Sequence, residues 1–232
     1  MAVNIVRTTD DLVKIGRVLV SVSDRSGLDS LVPGLLEVNP ELEIFATGGT
    51  YTVLSEVLGR EAAGRLGMVS AYTGQPETQG GLVKTLDFKI YLGLLTERYN
   101  DAHQKDLART GAKPIDMVVA NLYPFSETVA GNSSTCETAR ANIDIGGPCM
   151  IRAAAKNYLR VAAVVNPADY PELSAAVKAG NGFLSLEQRF RLAQKAFAHT
   201  ADYERSIAGY LAKQDPTGIN PLYDLVSPEP RS

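Results

Sequence analysis

Short apolar runs alternate with segments of helical periodicity along most of the chain. Val, Ile, Leu and Ala residues predict buried strands at Arg17–Asp24, Leu42–Ala46, Asp116–Leu122 and Arg160–Val165. Amphipathic stretches follow three of these runs, and a long helix is predicted from about Ser185 to Leu211. Because strands without apolar–polar alternation are covered on both faces, the pattern predicts a Rossmann-like α/β fold. Its sheet would be mostly parallel, with helices on both faces and a helical C-terminal portion.

The same pattern predicts how the 232 residues are organised. Residues 1–16 are interpreted as an N-terminal extension, residues 17–213 as one α/β domain and residues 214–232 as a tail. No internal repeat or low-complexity linker interrupts the domain. The tail is rich in Pro and polar residues and is expected to lie over the surface or over a partner.

Composition and charge exclude several classes of protein. The net charge of −3 and the pI near 5.5 argue against a general nucleic-acid binder, which needs a basic face. No apolar stretch approaches ~20 residues and the start of the chain lacks a signal peptide, so we expect a cytoplasmic protein without membrane contact. The chain has only two cysteines and two histidines, Cys136, Cys149, His103 and His199, which are too few and too scattered to predict a metal site or a histidine-based triad.

Two hydroxyl-rich turns follow the first two predicted strands. Thr47, Gly48, Gly49 and Thr50 form one, and Ser23, Arg25 and Ser26 lie in the equivalent place after the first strand. Glycines allow close approach of the backbone to a ligand, and a helix N-terminus favours negative charge. The carboxyl edge of a parallel sheet is also where such folds bind ligands. These residues therefore indicate a phosphate pocket, although the same residue types are favoured in ordinary turns and helix caps.

Three further segments contain candidate chemistry. Asp144 lies between two isoleucines and before a glycine pair, where a carboxylate needs a partner or acts as a helix cap. Lys156 follows three alanines, either beside a ligand or as a solvated helix charge. Tyr123 follows a strand end, at the ligand edge or as a packing residue. Lys84, close to a glycine pair, is either a surface charge or a cation held over a bound anion.

Taken together, these segments resemble the inosine monophosphate cyclohydrolase domain of the bifunctional purine-biosynthesis protein family. The matching motifs occur in order over about residues 17–211 as SVSDRSG, ATGGT, YTGQPE, GGLVKTL, VVANLYPF, IDIGG, RAAAKN and AFAHTADYERSIAGYL. The resemblance implies a methylglyoxal-synthase-like fold, a homodimer and no cofactor. It implies ring closure of 5-formamidoimidazole-4-carboxamide ribotide (FAICAR) to inosine monophosphate (IMP), the last step of de novo purine biosynthesis. The formyltransferase domain of the family is absent, so a separate formyltransferase is expected to supply the substrate.

The resemblance also implies which residues form the site. The catalytic group maps onto Lys84, Tyr123, Asp144 and Lys156, all present in this chain. Lys84 and Tyr123 would transfer protons and stabilise the charge of the oxyanion around the formyl group. Asp144 would orient the carboxamide or accept its proton, and Lys156 would place positive charge near the developing oxygen. The implied substrate-binding residues are Ser23, Arg25, Ser26, Thr47, Gly48, Gly49, Thr50, Thr85, Asn121, Ile145 and Gly146.

The chain departs from the family pattern around Lys84. Relatives usually read GRVKTLHP where this chain has GLVKTLDF, so Leu82, Asp87 and Phe88 replace an arginine, a histidine and a proline. Arg25 stands where a lysine is usual and restores charge at the phosphate turn. These changes leave open a second hypothesis, a non-catalytic purine-nucleotide-binding or regulatory module on the same fold. A third, methylglyoxal formation, is disfavoured because NLYPF and RAAAKN are not expected in such an enzyme.

Overall fold

A computed structural model describes residues 5–75, 84–123, 125–131 and 134–226 of the chain. The chain divides into two compact units. The first contains Met1–Leu122 and Ile145–Thr200, and the second contains Tyr123–Asp144 and Ala201–Ser232. The predicted division of the chain into an extension, a domain and a tail is a separate statement, and it remains a prediction.

The first unit is built on a parallel sheet of five strands. The strands are β2 (Arg17–Val22), β3 (Glu43–Ala46), β4 (Leu66–Met68), β5 (Met117–Asn121) and β6 (Ala162–Val164). Their order in the sheet is β4-β3-β2-β5-β6. Four of them were predicted from their apolar runs. The fifth, β4, escaped prediction because Leu66–Met68 is only three residues long and has Gly67 at its centre.

A two-stranded antiparallel ribbon also belongs to the first unit. It pairs β1 (Leu12–Lys14) with β7 (Phe183–Ser185). Neither strand was predicted, since three residues carry too little periodicity to be recognised. The ribbon joins two segments by backbone hydrogen bonds, one before the first predicted strand and one directly before the last long helix.

Helices cover both faces of the parallel sheet, as the apolar strands predict. The helices of the first unit are α1 (Leu28–Val38), α2 (Gly48–Leu58), α3 (Val69–Thr73), α4 (Phe88–Leu95), α5 (Asp101–Thr110), α8 (Gly146–Lys156) and α9 (Tyr170–Ala179). Val18 and Val20 of β2 share a buried cluster with α1 and α9. Because strand side chains alternate, Leu19 faces the opposite layer, and α8 packs against β5 and β6. The predicted mostly parallel α/β fold is therefore confirmed.

The second unit contains α6 (Phe125–Ala130), α7 (Cys136–Ala141) and a 3₁₀ helix at Pro216–Leu222. The long helix α10 (Leu186–Leu211) begins in the first unit and ends in the second, one residue from its predicted start. Phe125 makes edge-on contacts with Tyr203 and Tyr210, with ring centroids 6.4 and 5.8 Å apart respectively. This aromatic group is the packed centre of the unit.

Candidate active site

The two hydroxyl-rich turns lie side by side at the carboxyl edge of the sheet. Strands β2 and β3 are hydrogen-bonded neighbours, with Val20 opposite Ala46, so the segments that follow them leave the sheet together. The hydroxyl groups of Ser21 and Thr47 lie 2.9 Å apart and join the two segments. Sequence reasoning missed Ser21, although a serine within an apolar strand is a detectable signal. The edge of the sheet is thus where the predicted phosphate residues gather.

The segment predicted as a tight turn at Thr47–Thr50 is instead the start of α2. Thr47 occupies the N-cap position, and no side-chain hydrogen bond from it caps the helix, since its hydroxyl is engaged with Ser21. Thr50 is buried, and its hydroxyl bonds to the backbone of Val22 at 3.3 Å. Thr50 therefore fixes the helix start. The first N–H groups of a helix have no intrahelical acceptor, so an uncapped N-terminus favours an anion.

Two cations from different loops stand at this helix start. A Cβ placed on Gly48 would lie 3.7 Å from Nζ of Lys84, and one on Gly49 would lie 3.5 Å from the guanidinium carbon of Arg25. Both basic side chains are exposed. Two positive side chains beside an uncapped helix N-terminus repel each other and the positive end of the helix dipole. A bound anion such as phosphate would remove this repulsion. The structure therefore brings together Arg25, Gly48, Gly49 and Lys84.

Thr85, next to Lys84, contacts a second helix start. A Cβ on Gly146 would lie 2.7 Å from the Thr85 hydroxyl oxygen, so only glycine allows this approach. Gly146 is the first residue of α8, and Ile145 at the N-cap makes no side-chain cap bond. The dipeptide Lys84–Thr85 consequently touches the N-termini of both α2 and α8.

Lys156 lies at the other end of α8. It is the last residue of the helix and is exposed. At ~1.5 Å per residue, its backbone is about 15 Å along the helix axis from Gly146. Lys156 and the Thr85–Gly146 contact therefore lie at opposite ends of α8.

Tyr123 and Asp144 belong to the second unit. Tyr123 is 52% exposed. The backbone N–H of Asp144 donates to the Tyr203 hydroxyl at 2.7 Å, and burial raises the pKa of that phenol. Asp144 is half-buried, and Ile145 rather than Asp144 occupies the N-cap position of α8. The interpretation of Asp144 as a helix cap stays a prediction.

The departures from the family pattern have a partial structural explanation. Asp87 is the N-cap of α4, and its carboxylate accepts a hydrogen bond of 2.7 Å from the Lys89 N–H. Phe88, the first residue of that helix, is 58% exposed. The predictions that concern the glycine pair Gly80–Gly81 and Leu82 lie outside the described residues. Asp87 thus stabilises the helix that follows Lys84–Thr85.

The remaining predicted binding residues lie on the loop after β2 or at the end of β5. Ser23, Arg25 and Ser26 are exposed, and the side-chain amide of Asn121 bonds to this loop. Within the described ranges, no group of three or more His, Cys, Asp or Glu side chains is arranged to hold a metal ion. No helix of the described part is long and apolar enough to cross a membrane.

The fold and its anion-favouring edge define an MGS-like α/β domain, and comparisons with known proteins agree. The model of the MGS-like domain family matches residues 27–149, and that of the AICARFT/IMPCHase bienzyme matches residues 154–227. The crystal structure of ForH is 31% identical with a TM-score of 0.66, over 83% of this chain and 96% of that one. The chain belongs to the MGS-like family, and it is similar to the IMP cyclohydrolase part of bifunctional purine-biosynthesis proteins.

Two curated relatives illustrate this similarity. The bifunctional purine biosynthesis protein PurH of Bacillus mycoides (strain KBAB4) is 46% identical over 198 residues, which are 85% of this chain. PurH of Magnetococcus marinus is 44% identical over 207 residues, 89% of this chain. The matched regions are 37% and 38% of those proteins, so the chain spans little more than a third of their length. The predicted family resemblance is confirmed.

Proposed function

We propose that this chain is an IMP cyclohydrolase that dehydrates FAICAR to IMP. The carboxamide nitrogen attacks the formyl carbon and forms the new C–N bond of the ring. The formyl oxygen leaves as water, with one proton from the carboxamide nitrogen and one from the formamido nitrogen. An amide nitrogen is a weak nucleophile, so the site must position it, take up its proton and stabilise the oxyanion.

The observation that best supports this proposal is the pair of cations at the uncapped start of α2. A ribotide has a 5′-phosphate, and Arg25, Lys84 and the free end of α2 would bind that dianion. Thr85 and Gly146, at the start of α8, would then face the remainder of the nucleotide. The other substrate contacts are proposed on the family resemblance.

The catalytic roles are also proposed on the resemblance. Lys84 and Tyr123 manage proton transfer and the oxyanion, Asp144 orients the carboxamide, and Lys156 supplies positive charge near the developing oxygen. Because Lys84 lies beside the start of α2, where we propose that the phosphate binds, its loss should raise KM as well as lower kcat.

The test is turnover of FAICAR by the purified protein, followed as formation of IMP. Lys84→Ala should lower kcat/KM by about 10²–10⁴-fold with an unchanged unfolding transition. Lys105→Ala is the matched control, since Lys105 is an exposed lysine on α5, a helix that supplies none of the proposed site residues. Absence of turnover in the wild type would refute the proposal, and IMP binding without turnover would favour the nucleotide-binding module.

Two partners belong to the same proposal. A formyltransferase must supply FAICAR, because the cyclohydrolase step consumes the product of formyl transfer. We also propose that the chain forms a homodimer. Light scattering across a range of protein concentrations tests this, and a constant monomeric mass would contradict it.

A further inference from the structure

A single side chain of α10 anchors the backbone of Asp144, the carboxylate proposed to orient the carboxamide. The N–H of Asp144 donates to the Tyr203 hydroxyl oxygen at 2.7 Å, although 59 residues separate the two in the chain. The two preceding residues are held differently, because the N–H groups of Asn142 and Ile143 donate to carbonyl groups of α7. Asp144 is thus the point at which this segment leaves α7 and is bonded to α10 instead.

The Tyr203 hydroxyl is held in place by the packing of its ring. Tyr203 and Phe125 are both buried, and their rings meet edge-on with centroids 6.4 Å apart. Because buried side chains are close-packed, this contact leaves the ring little freedom to move. Phe125 also follows Tyr123, the other proposed catalytic residue of the second unit, by two positions. Tyr203 therefore contacts both segments of this unit that contain a proposed catalytic residue.

The protonation state of Tyr203 suits an anchor. Burial raises the pKa of its phenol, and the negative charge of Asp144 acts in the same direction. The hydroxyl is therefore neutral at neutral pH. A neutral phenol oxygen accepts the Asp144 N–H and still has a proton to donate, whereas the phenol of a phenylalanine variant is missing altogether.

We propose that Tyr203 is a positioning residue that acts on ring closure through Asp144. The inference rests on the proposed cyclohydrolase function, in which the Asp144 carboxylate orients the carboxamide. The bond to the Asp144 N–H fixes the backbone from which that carboxylate projects. A misplacement of about 1 Å at a reacting group can cost about 10²-fold in rate. Tyr203 lies in the motif AFAHTADYERSIAGYL, to which the proposed function otherwise assigns no role.

The proposed phosphate ligands separate positioning from substrate binding. Arg25, Lys84 and the start of α2 belong to the first unit, whereas Tyr203 and Asp144 belong to the second. Loss of the Tyr203 hydroxyl should therefore lower kcat more than it raises KM. A purely structural loss would lower the fraction of folded enzyme, and it would do so whether or not the Asp144 carboxylate is present.

The experiment measures FAICAR turnover and urea unfolding for wild type, Tyr203→Phe, Asp144→Asn and the double variant. Tyr203→Phe keeps the ring that contacts Phe125 and removes only the hydroxyl. It should lower kcat by about tenfold to a hundredfold and change KM less than about threefold. In the Asp144→Asn background the same change should lower kcat less than about twofold, because no carboxylate is left to position.

Amide hydrogen exchange of Asp144, read by NMR, gives a measurement that does not depend on activity. Exchange should be faster in Tyr203→Phe, because the N–H loses its acceptor. Tyr210→Phe is the matched control. Tyr210 lies on the same helix and meets the Phe125 ring edge-on at 5.8 Å, but its hydroxyl has no hydrogen-bond partner among the described residues. This variant should change neither kcat nor the Asp144 exchange rate by more than about twofold.

Three results would overturn the inference. The first is a kcat of Tyr203→Phe within about twofold of wild type, and the second is an equal fall in kcat with and without the Asp144 carboxylate. The third is an unchanged exchange rate of the Asp144 amide in Tyr203→Phe. Absence of turnover in the wild type would instead refute the proposed function, and the exchange rates distinguish that outcome from a failure of the anchor.

Discussion

Replacement of Arg189 tests whether one buried cation organises the packing around the two-stranded ribbon. The Arg189 side chain is fully buried on α10, and burial lowers its pKa. Its guanidinium donates to five backbone carbonyl groups, those of Asp10, Asp11, Tyr158, Leu159 and Leu184. These acceptors come from three separate segments of the first unit, so the side chain joins them.

The cost of Arg189→Met follows from those bonds. A hydrogen bond to a charged group contributes about 1.5–3 kcal/mol, but relief of the buried charge offsets much of the sum. We expect a net loss of about 3–5 kcal/mol from the free energy of unfolding, which is a large part of a typical domain's stability. Arg189→Lys keeps the charge but offers three donors instead of five, and should cost less than Arg189→Met.

Urea unfolding followed by circular dichroism measures these losses from the midpoint, provided that the slope is unchanged. Arg191→Met is the control on the same helix. Its side chain is 71% exposed and forms an ion pair with Glu187, one turn earlier in the helix, so we expect a loss of at most about 0.5 kcal/mol. A loss below about 1 kcal/mol for Arg189→Met would refute the reasoning, because the five bonds would then contribute nothing beyond burial.

Two further predictions concern acid stability and close packing. Hydrogen bonding to Arg17, followed by Lys113, lowers the pKa of Glu43 to about 2 from 4.5. The ionised Glu43 carboxylate therefore stabilises the folded state above pH 4.5, and this stabilisation is lost as the pH falls towards about 2. Glu43→Gln should lower the free energy of unfolding by about 1 kcal/mol at pH 7 and leave it unchanged near pH 2, as measured by urea unfolding at each pH. Gly93→Ala would place a Cβ 2.5 Å from the Lys113 carbonyl oxygen and should cost about 1–3 kcal/mol by urea unfolding. Gly209→Ala, which meets nothing within 4 Å, should be neutral or stabilising; equal effects of the two alanines would contradict the packing argument.

Most of the sheet was predictable because its strands are apolar on both faces. The β2, β3, β5 and β6 runs are recognisable without their partners, whereas their order in the sheet is known only from the structure. The strands β1, β4 and β7 were not predictable, since each has three residues and exists only through its hydrogen-bonded neighbour. The start of α2 was read as a turn because glycines favour turns, whereas the helix extends to Gly48.

For the candidate site, the residue types at the carboxyl edge were readable from the chain, but their contacts were not. Lys84 could have been a surface charge, and only folding places its ammonium group beside Gly48. Asp87 departs from the family pattern, and the structure shows that it caps α4. The roles of Tyr123, Asp144 and Lys156 stay predictions that mutagenesis must test.

By itself the sequence determined four strands of the parallel sheet and the family, because apolar runs and motif residues act within a few positions of each other. The tertiary structure decided which distant groups meet. Asn121 and Ser23 are 98 residues apart in the chain, yet the parallel pairing of β5 with β2 makes them hydrogen-bonded neighbours. Likewise, only the packing of Arg189 against three segments shows that a charged residue on a helix is fully buried. Such contacts depend on strand order and helix packing, which no local pattern contains.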